Sequence, residues 1–355
     1  MKILITGICG FVGGALASEL KRRQENLEII GLDNLCRRGS ELNRHRFQPP
    51  AVSFRHGDIR NPSDLDDLPK VDWVIDAAAN PSVLAGVSGL TSSRQLMEHN
   101  LVGTLNLLEY CKRHGAGFIL LGTSRVYSAA RLAALPLDTR NQAFIPRFAE
   151  IRERGVAPAG VTEDFSTQPP LSLYGSAKLA SELLILEYGQ AFNLPVLVNR
   201  CGVLAGAGQF GKPDQGIFTF WIHSYHQKRP LKYIGFGGTG HQVRDCLHPR
   251  DLAALMALQL RHPEKAGGVL NVSGGPANSL SLAQLSDWCA ARFGRREIQG
   301  DPALRRYDVP WLVLDSTRAT QAWNWRPDTK LEDILGEIAG HAEQHPEWLD
   351  LSAGA

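Results

Sequence analysis

The turn Thr6-Gly7-Ile8-Cys9-Gly10-Phe11-Val12-Gly13 constrains this chain more than any other stretch. Before it lies an apolar run, Lys2–Thr6, patterned as a buried strand; after it comes an amphipathic stretch, Phe11–Arg23, patterned as a helix. Three glycines spaced GxxGxxG between a strand and a helix have a mechanical reading. The first permits a tight turn, the second lets backbone approach a pyrophosphate, and the third lets helix and strand pack closely. The helix N-terminus then offers free N–H groups to phosphate. A glycine triplet alone is a weak signal, but its place directly after a strand at the chain's start makes this one strong.

The rest of the N-terminal half agrees. Short apolar runs at Lys2–Thr6, Glu28–Asp33, 52–55, 73–77, 118–122 and 196–200 alternate with helical patterns at Phe11–Arg23, 94–114 and 174–191. Such alternation predicts an α/β fold, a doubly wound parallel sheet covered on both faces. We expect residues 1–200 to form a Rossmann-type dinucleotide-binding domain. Residues 201–355 are expected to form a smaller substrate-binding lobe, with a segment near Leu270–Val272 returning to the sheet. Five prolines interrupt residues 128–171, which read as one long irregular loop leading into Tyr174.

Bulk properties narrow the function. A net charge of +2 gives no global field toward nucleic acid or a membrane. The six cysteines are scattered, with no CxxC or Cys/His cluster, so reduced thiols, no metal site and a cytoplasmic setting are expected. The chain opens straight into a strand pattern, so no signal peptide is expected, and no apolar run reaches the length of a membrane span.

Asp33 ends the second strand, where a carboxylate accepts both adenosine ribose hydroxyls and repels a 2′-phosphate. That favours NAD over NADP, while Arg37 and Arg38 close by pull the other way. Asp58-Ile59 follows the third strand, in position to hold an adenine. Tyr174 and Lys178 stand four residues apart on a helical pattern and so share one face. A free tyrosine has a pKa near 10, and a neighbouring ammonium lowers it toward the range of a useful base. At the end of the fifth strand, Thr123 or Ser124 can hydrogen-bond a reacting oxygen; spacing alone does not choose.

Taken together, the glycine turn, Asp33, Asp58-Ile59, the run Asn100-Leu101-Val102-Gly103-Thr104-Leu105-Asn106, the Tyr174/Lys178 pair and Gln242-Val243-Arg244-Asp245-Cys246-Leu247-His248 resemble the extended short-chain dehydrogenase/reductase family of sugar-nucleotide epimerases and dehydratases. The late segments Gly208-Gln209-Phe210, Asp214-Gln215-Gly216 and Asn278-Ser279-Leu280-Ser281-Leu282 resemble its CDP-sugar 2-epimerase subgroup. The resemblance implies catalysis by Thr123, Tyr174 and Lys178. It implies a cofactor site of Gly7, Gly10, Phe11, Val12, Gly13, Asp33, Asn34, Asp58, Ile59, Ala77, Ala78, Asn100 and Cys201, joined by Tyr174 and Lys178. It implies a sugar-nucleotide site of Asn80, Ser124, Arg125, Gln209, Gln215, Arg244 and Arg305, the last two holding the diphosphate, and a homodimer built on the helices at 94–114 and 174–191.

Three departures qualify the match. Family dehydratases carry an Asp-Glu pair where this chain has Ser124-Arg125; Val203 stands where Asn or Ser is usual; Ser128 replaces a Gly. The reading is therefore an NAD-dependent epimerase of a nucleotide-diphospho-sugar. Its alternatives are a dehydrogenase or reductase that releases NAD(P)H, and a non-catalytic dinucleotide sensor. The Asp33 argument has a direct check: heat-denatured protein should release NAD(H) and little NADP(H), and a tenfold preference for NADP would contradict it.

Overall fold

Alternation within the first strand sets the architecture. Ile3 and Ile5 point to one face of the sheet and Leu4 to the other, and all three are fully buried. In the computed structural model, which describes residues 1–47, 52–87 and 92–352, each face has its own apolar core. On the Ile3/Ile5 side the helix α1 (Phe11–Arg23) contributes Leu16 and Leu20, and the helix Pro249–Arg261 contributes Leu252, Leu255 and Met256. On the Leu4 side, α2 (Gly103–His114) contributes Leu107 and Leu108, and α3 (Leu173–Phe192) contributes Ile185.

The sheet has seven strands: β1 (Lys2–Thr6), β2 (Glu28–Asp33), β3 (Val52–His56), β4 (Trp73–Asp76), β5 (Gly117–Thr123), β6 (Val196–Cys201) and β7 (Val269–Val272). Their order is β7-β6-β5-β4-β1-β2-β3, and every pairing is parallel. The six expected strands are present with ends shifted by a residue or so. β7 is the late segment returning to the sheet, seated beside β6 with Val198 opposite Val269. Beneath this edge, Asn199 and Gln259 exchange two amide hydrogen bonds of 2.9 Å, both residues fully buried.

A second, smaller sheet joins Val203–Leu204, Val243–Leu247, Ser279–Ser281 and Trp311–Leu312. It packs with helices Ile217–His226, Leu282–Phe293 and Leu331–Gln344 around a separate core that includes Trp221, Leu285 and Ile338.

Two expectations need correction. Residues 128–171 are not an irregular loop. They hold a short helix, Ala129–Ala133, and two hairpins, Leu137–Arg140 with Ala143–Pro146 and Val156–Ala157 with Gly160–Val161. The first hairpin turns through Asn141 and Gln142, both at positive φ, the geometry a two-residue hairpin loop requires. Its strands are short and end in polar residues, so the hydrophobic alternation is too brief to read. The insert is held down elsewhere: Phe144 N–H donates to the His241 carbonyl, and Val161 N–H to the Val313 carbonyl. The expected helix at 94–114 is likewise not uniform. It runs as Ser93–Met97, a π-helical turn at Glu98–Val102, then α2. Among the described residues no helix is long and apolar enough to cross a membrane.

The Asn199/Gln259 exchange gives a stability test. Gln259→Leu would strand a buried amide on Asn199, at a cost of about 1–3 kcal/mol. The urea midpoint of the variant should fall accordingly; an unchanged midpoint would show that water replaces the lost partner.

Candidate active site

In an open parallel sheet, ligands bind beyond the carboxyl ends of the strands. Here those ends converge on a single large cavity of about 780 Å³, running from Gly7, Gly10 and Gly13 past Asp33 and Tyr174 to Arg244 and Tyr307. The size falls within the range of small-molecule and cofactor sites.

The glycine turn fits a dinucleotide phosphate. Gly7 sits at φ 63° and donates its N–H to the Leu32 carbonyl at 2.8 Å. A Cβ on Gly13 would lie 2.2 Å from the Gly7 carbonyl oxygen, and one on Gly7 would lie 2.9 Å from Ala78 Cα. Gly10 caps α1 without any side-chain cap, leaving the helix N-terminus open. Asp33 Oδ2 accepts the Cys9 N–H at 2.9 Å and Oδ1 the Leu35 N–H at 2.8 Å, so the carboxylate is fixed at the cavity rim. Burial raises the Asp33 pKa, and those two N–H bonds oppose the rise.

Phe11, Val12, Asn34, Asp58, Ile59, Ala77, Ala78 and Cys201 also line the cavity. Asn34 Nδ2 donates to Asp58 Oδ2 at 2.9 Å, and Arg60 pairs with the same oxygen at 2.6 Å. Burial works against ionisation there, yet these bonds hold Asp58 well below the usual carboxylate range. Asn100 and Asn80 are placed differently. Asn100 is buried outside the cavity lining, its amide exchanging bonds of 2.8 and 2.9 Å with the Asn80 backbone. It shapes the loop after β4 rather than the cavity surface. Arg37, which seemed to favour a 2′-phosphate, is committed elsewhere: it donates to Gln215 Oε1 at 2.8 Å and to the Phe210 carbonyl at 2.9 Å.

Tyr174 enters from the first turn of α3, capped by Ser172, whose hydroxyl accepts the Gly175 N–H at 3.0 Å. Gly175 allows a close approach that the sequence pattern did not reveal. A Cβ there would lie 2.2 Å from the Arg125 carbonyl oxygen, so the helix meets the turn after β5 only because this residue has no side chain. Of the two candidate hydroxyls, Thr123 is the one that acts on the Tyr174 phenol, working against the rise in its pKa. Lys178, one turn on, is buried behind the cavity wall.

The expected lowering of the tyrosine pKa is not what the protein shows. Burial pushes the Tyr174 phenol up to about 12, with the Thr123 hydrogen bond opposing. Burial likewise lowers Lys178, against the opposing pull of Asp76 and Glu182. Desolvation is the largest influence on both groups.

The far end of the cavity is basic. Arg244 donates from Nη2 to Asp308 Oδ1 and to the Val309 carbonyl, both at 2.7 Å. Burial pushes its pKa down to about 10, Asp308 opposing and Arg125 adding to the fall. Arg125 reaches the Tyr307 carbonyl at 3.3 Å, and Arg305 the Pro213 carbonyl at 3.0 Å. Ser124, Gln209 and Gln215 lie in the lining too, but Gln209 is spent on the Leu204 carbonyl and on Thr219. Sequence reasoning missed Lys232, Arg306 and Tyr307 in this wall; the doubled arginine at 305–306 was the available signal. Clustered, partly desolvated guanidinium groups suit a diphosphate.

Fold and cavity together combine a glycine turn fitted to a dinucleotide on a Rossmann sheet with a basic wall at the other end of the same cavity. Comparison with known proteins agrees. Residues 3–273 match the model of the NAD dependent epimerase/dehydratase family. CDP-paratose 2-epimerase of Salmonella typhi is 32% identical, with 94% of this chain and 96% of that protein aligned. UDP-glucuronate 4-epimerase of Thermodesulfobacterium geofontis is 26% identical, with 98% and 97% aligned. Among solved structures, UDP-glucuronic acid 4-epimerase of Bacillus cereus, in complex with UDP-glucuronic acid and NAD, has the same fold: TM-score 0.77 at 24% identity, covering 97% of this chain and 99% of that one. The chain belongs to the NAD dependent epimerase/dehydratase family, and its cofactor is NAD.

The Gly175 contact can be tested. Gly175→Ala should displace the start of α3 from Arg125 and lower turnover by about 10- to 100-fold, since a 1 Å misplacement is enough for that. NAD content should stay near wild type, and full activity would mean that the contact does not set the geometry.

Proposed function

We propose that the protein is an epimerase of a nucleotide-diphospho-sugar, inverting one ring carbon by transient oxidation, and that the substrate is a CDP-sugar inverted at carbon 2. The carrying observation is the composition of the wall beside Tyr174. β5 ends in Thr123, and the turn after it brings Ser124 and Arg125, so the wall has hydroxyls and a guanidinium here and no carboxylate to expel a ring hydroxyl as water. The similarity to CDP-paratose 2-epimerase supports the base and the carbon.

When bound, NAD supplies a hydride acceptor and a positive charge in the same cavity. Tyr174, as phenolate, takes the proton of the sugar hydroxyl and later returns it. Thr123, beside Tyr174 at the end of β5, steadies the reacting oxygen. Lys178 places an ammonium one helical turn from the phenol and favours its ionised form. Arg244 and Arg305 hold the diphosphate while the flat keto-sugar turns over, and Arg125 borders the sugar. Arg305 has to exchange its Pro213 carbonyl for phosphate oxygen to do so.

We further propose a homodimer paired through α2 and α3. The two helices lie side by side on one sheet face. Leu183 on α3 and Val102 just before α2 are large apolar side chains at 60% and 39% exposure. A second copy is the occupant that matches such a patch on two parallel neighbours.

Two measurements check these readings. Candidate CDP- and UDP-sugars turned over in heavy water should give a product of unchanged mass with no deuterium on ring carbon and no accumulated NADH. Deuterium at the inverted centre would rule out internal return, a product lighter by one water would mean a dehydratase, and stoichiometric NADH a dehydrogenase. In sedimentation at micromolar concentration the protein should run as a dimer and Leu183→Glu as a monomer; a monomeric wild type would remove the dimer.

A further inference from the structure

The buried face of α3 does not end at the tyrosine and lysine. Tyr174, Lys178 and Glu182 follow one another at single-turn intervals, all below a tenth exposed. Glu182 accepts hydrogen bonds from Arg200 Nη2 at 2.8 Å and Nε at 3.1 Å. Both side chains are almost wholly buried, and neither lines the cavity. Arg200 stands on β6, opposite Gly122 and one residue before Cys201.

The pair is the centre of a longer chain of contacts. Arg200 Nη1 donates to the Tyr127 hydroxyl at 3.2 Å, and its guanidinium lies 5.1 Å from the centre of that ring. The Tyr127 hydroxyl donates to Asn271 Oδ1 at 2.6 Å; Asn271 Nδ2 donates to the Val161 carbonyl at 2.8 Å. Thus α3, the turn after β5, β6, β7 and the 128–171 insert are joined behind the reacting groups.

A buried ion pair is weak evidence for stability, because desolvation offsets most of the attraction. Its location suggests another use. Three groups act on the charge of Lys178: Asp76 from β4, Glu182 one helical turn along α3 and Cys201 from β6. Asp76 is shared with the hydroxyls of Thr6 at 2.8 Å and Thr104 at 2.9 Å. The Cys201 thiol is pushed up to about 12 by burial and stays neutral. Burial also raises Glu182, and Arg200 opposes that rise. Basic, acidic and basic side chains therefore follow one another from β6 along α3: Arg200, Glu182 and Lys178.

We infer that Glu182 and Arg200 are positioning residues for Lys178: their buried ion pair anchors the lysine's helical turn to the sheet and keeps a carboxylate facing its ammonium. The inference rests on the reading of Tyr174 and Lys178 proposed above. Glu182 acts through Lys178 and touches no substrate. Arg200 acts one step further back, by keeping Glu182 ionised and fixed.

The test reads Lys178 itself. In NAD-loaded protein labelled with 13C at lysine Cε, the Lys178 resonance is assigned by its loss in Lys178→Met, and its titration midpoint is followed. Glu182→Gln should lower that midpoint by about half a pH unit or more, because one facing negative charge is gone. It should lower kcat about tenfold and leave KM within about twofold. Arg200→Lys and Tyr127→Phe, which disturb the network less, should shift the midpoint in the same direction by less, and they carry the test if Glu182→Gln does not fold. A midpoint equal to wild type in every folded variant, whatever happens to kcat, would overturn the inference and leave the pair a fold element only. An active Lys178→Met would instead remove the reading of the site on which it rests.

Discussion

Contact between two stretches of backbone governs this molecule. Gly13 on α1 and Gly7 after β1 meet so closely that a methyl group on Gly13 would lie 2.2 Å from the Gly7 carbonyl oxygen. The contact brings the open N-terminus of the helix over the end of the first strand. Around it, Asp33 grips the Cys9 N–H, and the Thr6 hydroxyl accepts from the Ala78 N–H, so the ends of β1, β2 and β4 are fixed relative to one another. A second contact of the same kind, Gly175 against the Arg125 carbonyl, sets the tyrosine helix against β5. Two approaches without side chains thus fix the glycine turn and the start of the helix that carries Tyr174.

Burial then decides the electrostatics. Tyr174 and Lys178 are both buried, and desolvation pushes each toward its neutral form. Carboxylates at Asp76 and Glu182 oppose that trend for the lysine, and bound oxidised NAD would bring a positive charge into the same cavity as the phenol. The basic end is held in reserve differently. Arg244 is oriented by Asp308 and two carbonyls, while Arg125 and Arg305 rest on carbonyl oxygens of neighbouring loops. Those loops close over the cavity: Arg37 ties residues after β2 to Phe210 and Gln215, and Ser82 ties the loop after β4 to Asp214.

Much of this was legible in the sequence, for physical reasons. Apolar strands buried on both faces and the amphipathic helices of the N-terminal half carry their periodicity openly, so the six early strands and α1 could be read almost to the residue, while the helix Pro249–Arg261 on the same sheet was not read at all. The glycine turn and the Tyr174/Lys178 pair are local motifs, and local spacing is what a sequence displays. Legibility failed where structure is short or where partners are distant. The hairpins at 137–146 and 156–161 have strands of two to four residues. Asn100 looked like a cavity residue because its neighbours in sequence resemble a family motif, yet its amide is spent on the Asn80 backbone. Arg37 looked like a phosphate ligand until Phe210 and Gln215, more than 170 residues away, turned out to hold it. The pKa of Tyr174 was read from charge spacing alone, and burial, which spacing does not reveal, acts in the opposite direction.

At the centre of the account stands Tyr174 as the base that removes the sugar hydroxyl proton. Turnover of a CDP-sugar by Tyr174→Phe, compared with wild type at equal NAD occupancy, tests that claim most directly. The ring is kept and only the ionisable oxygen is lost, so NAD binding should be nearly unchanged while product formation disappears. A variant that kept more than about a tenth of the rate, a barrier change below roughly 1.4 kcal/mol, would contradict it.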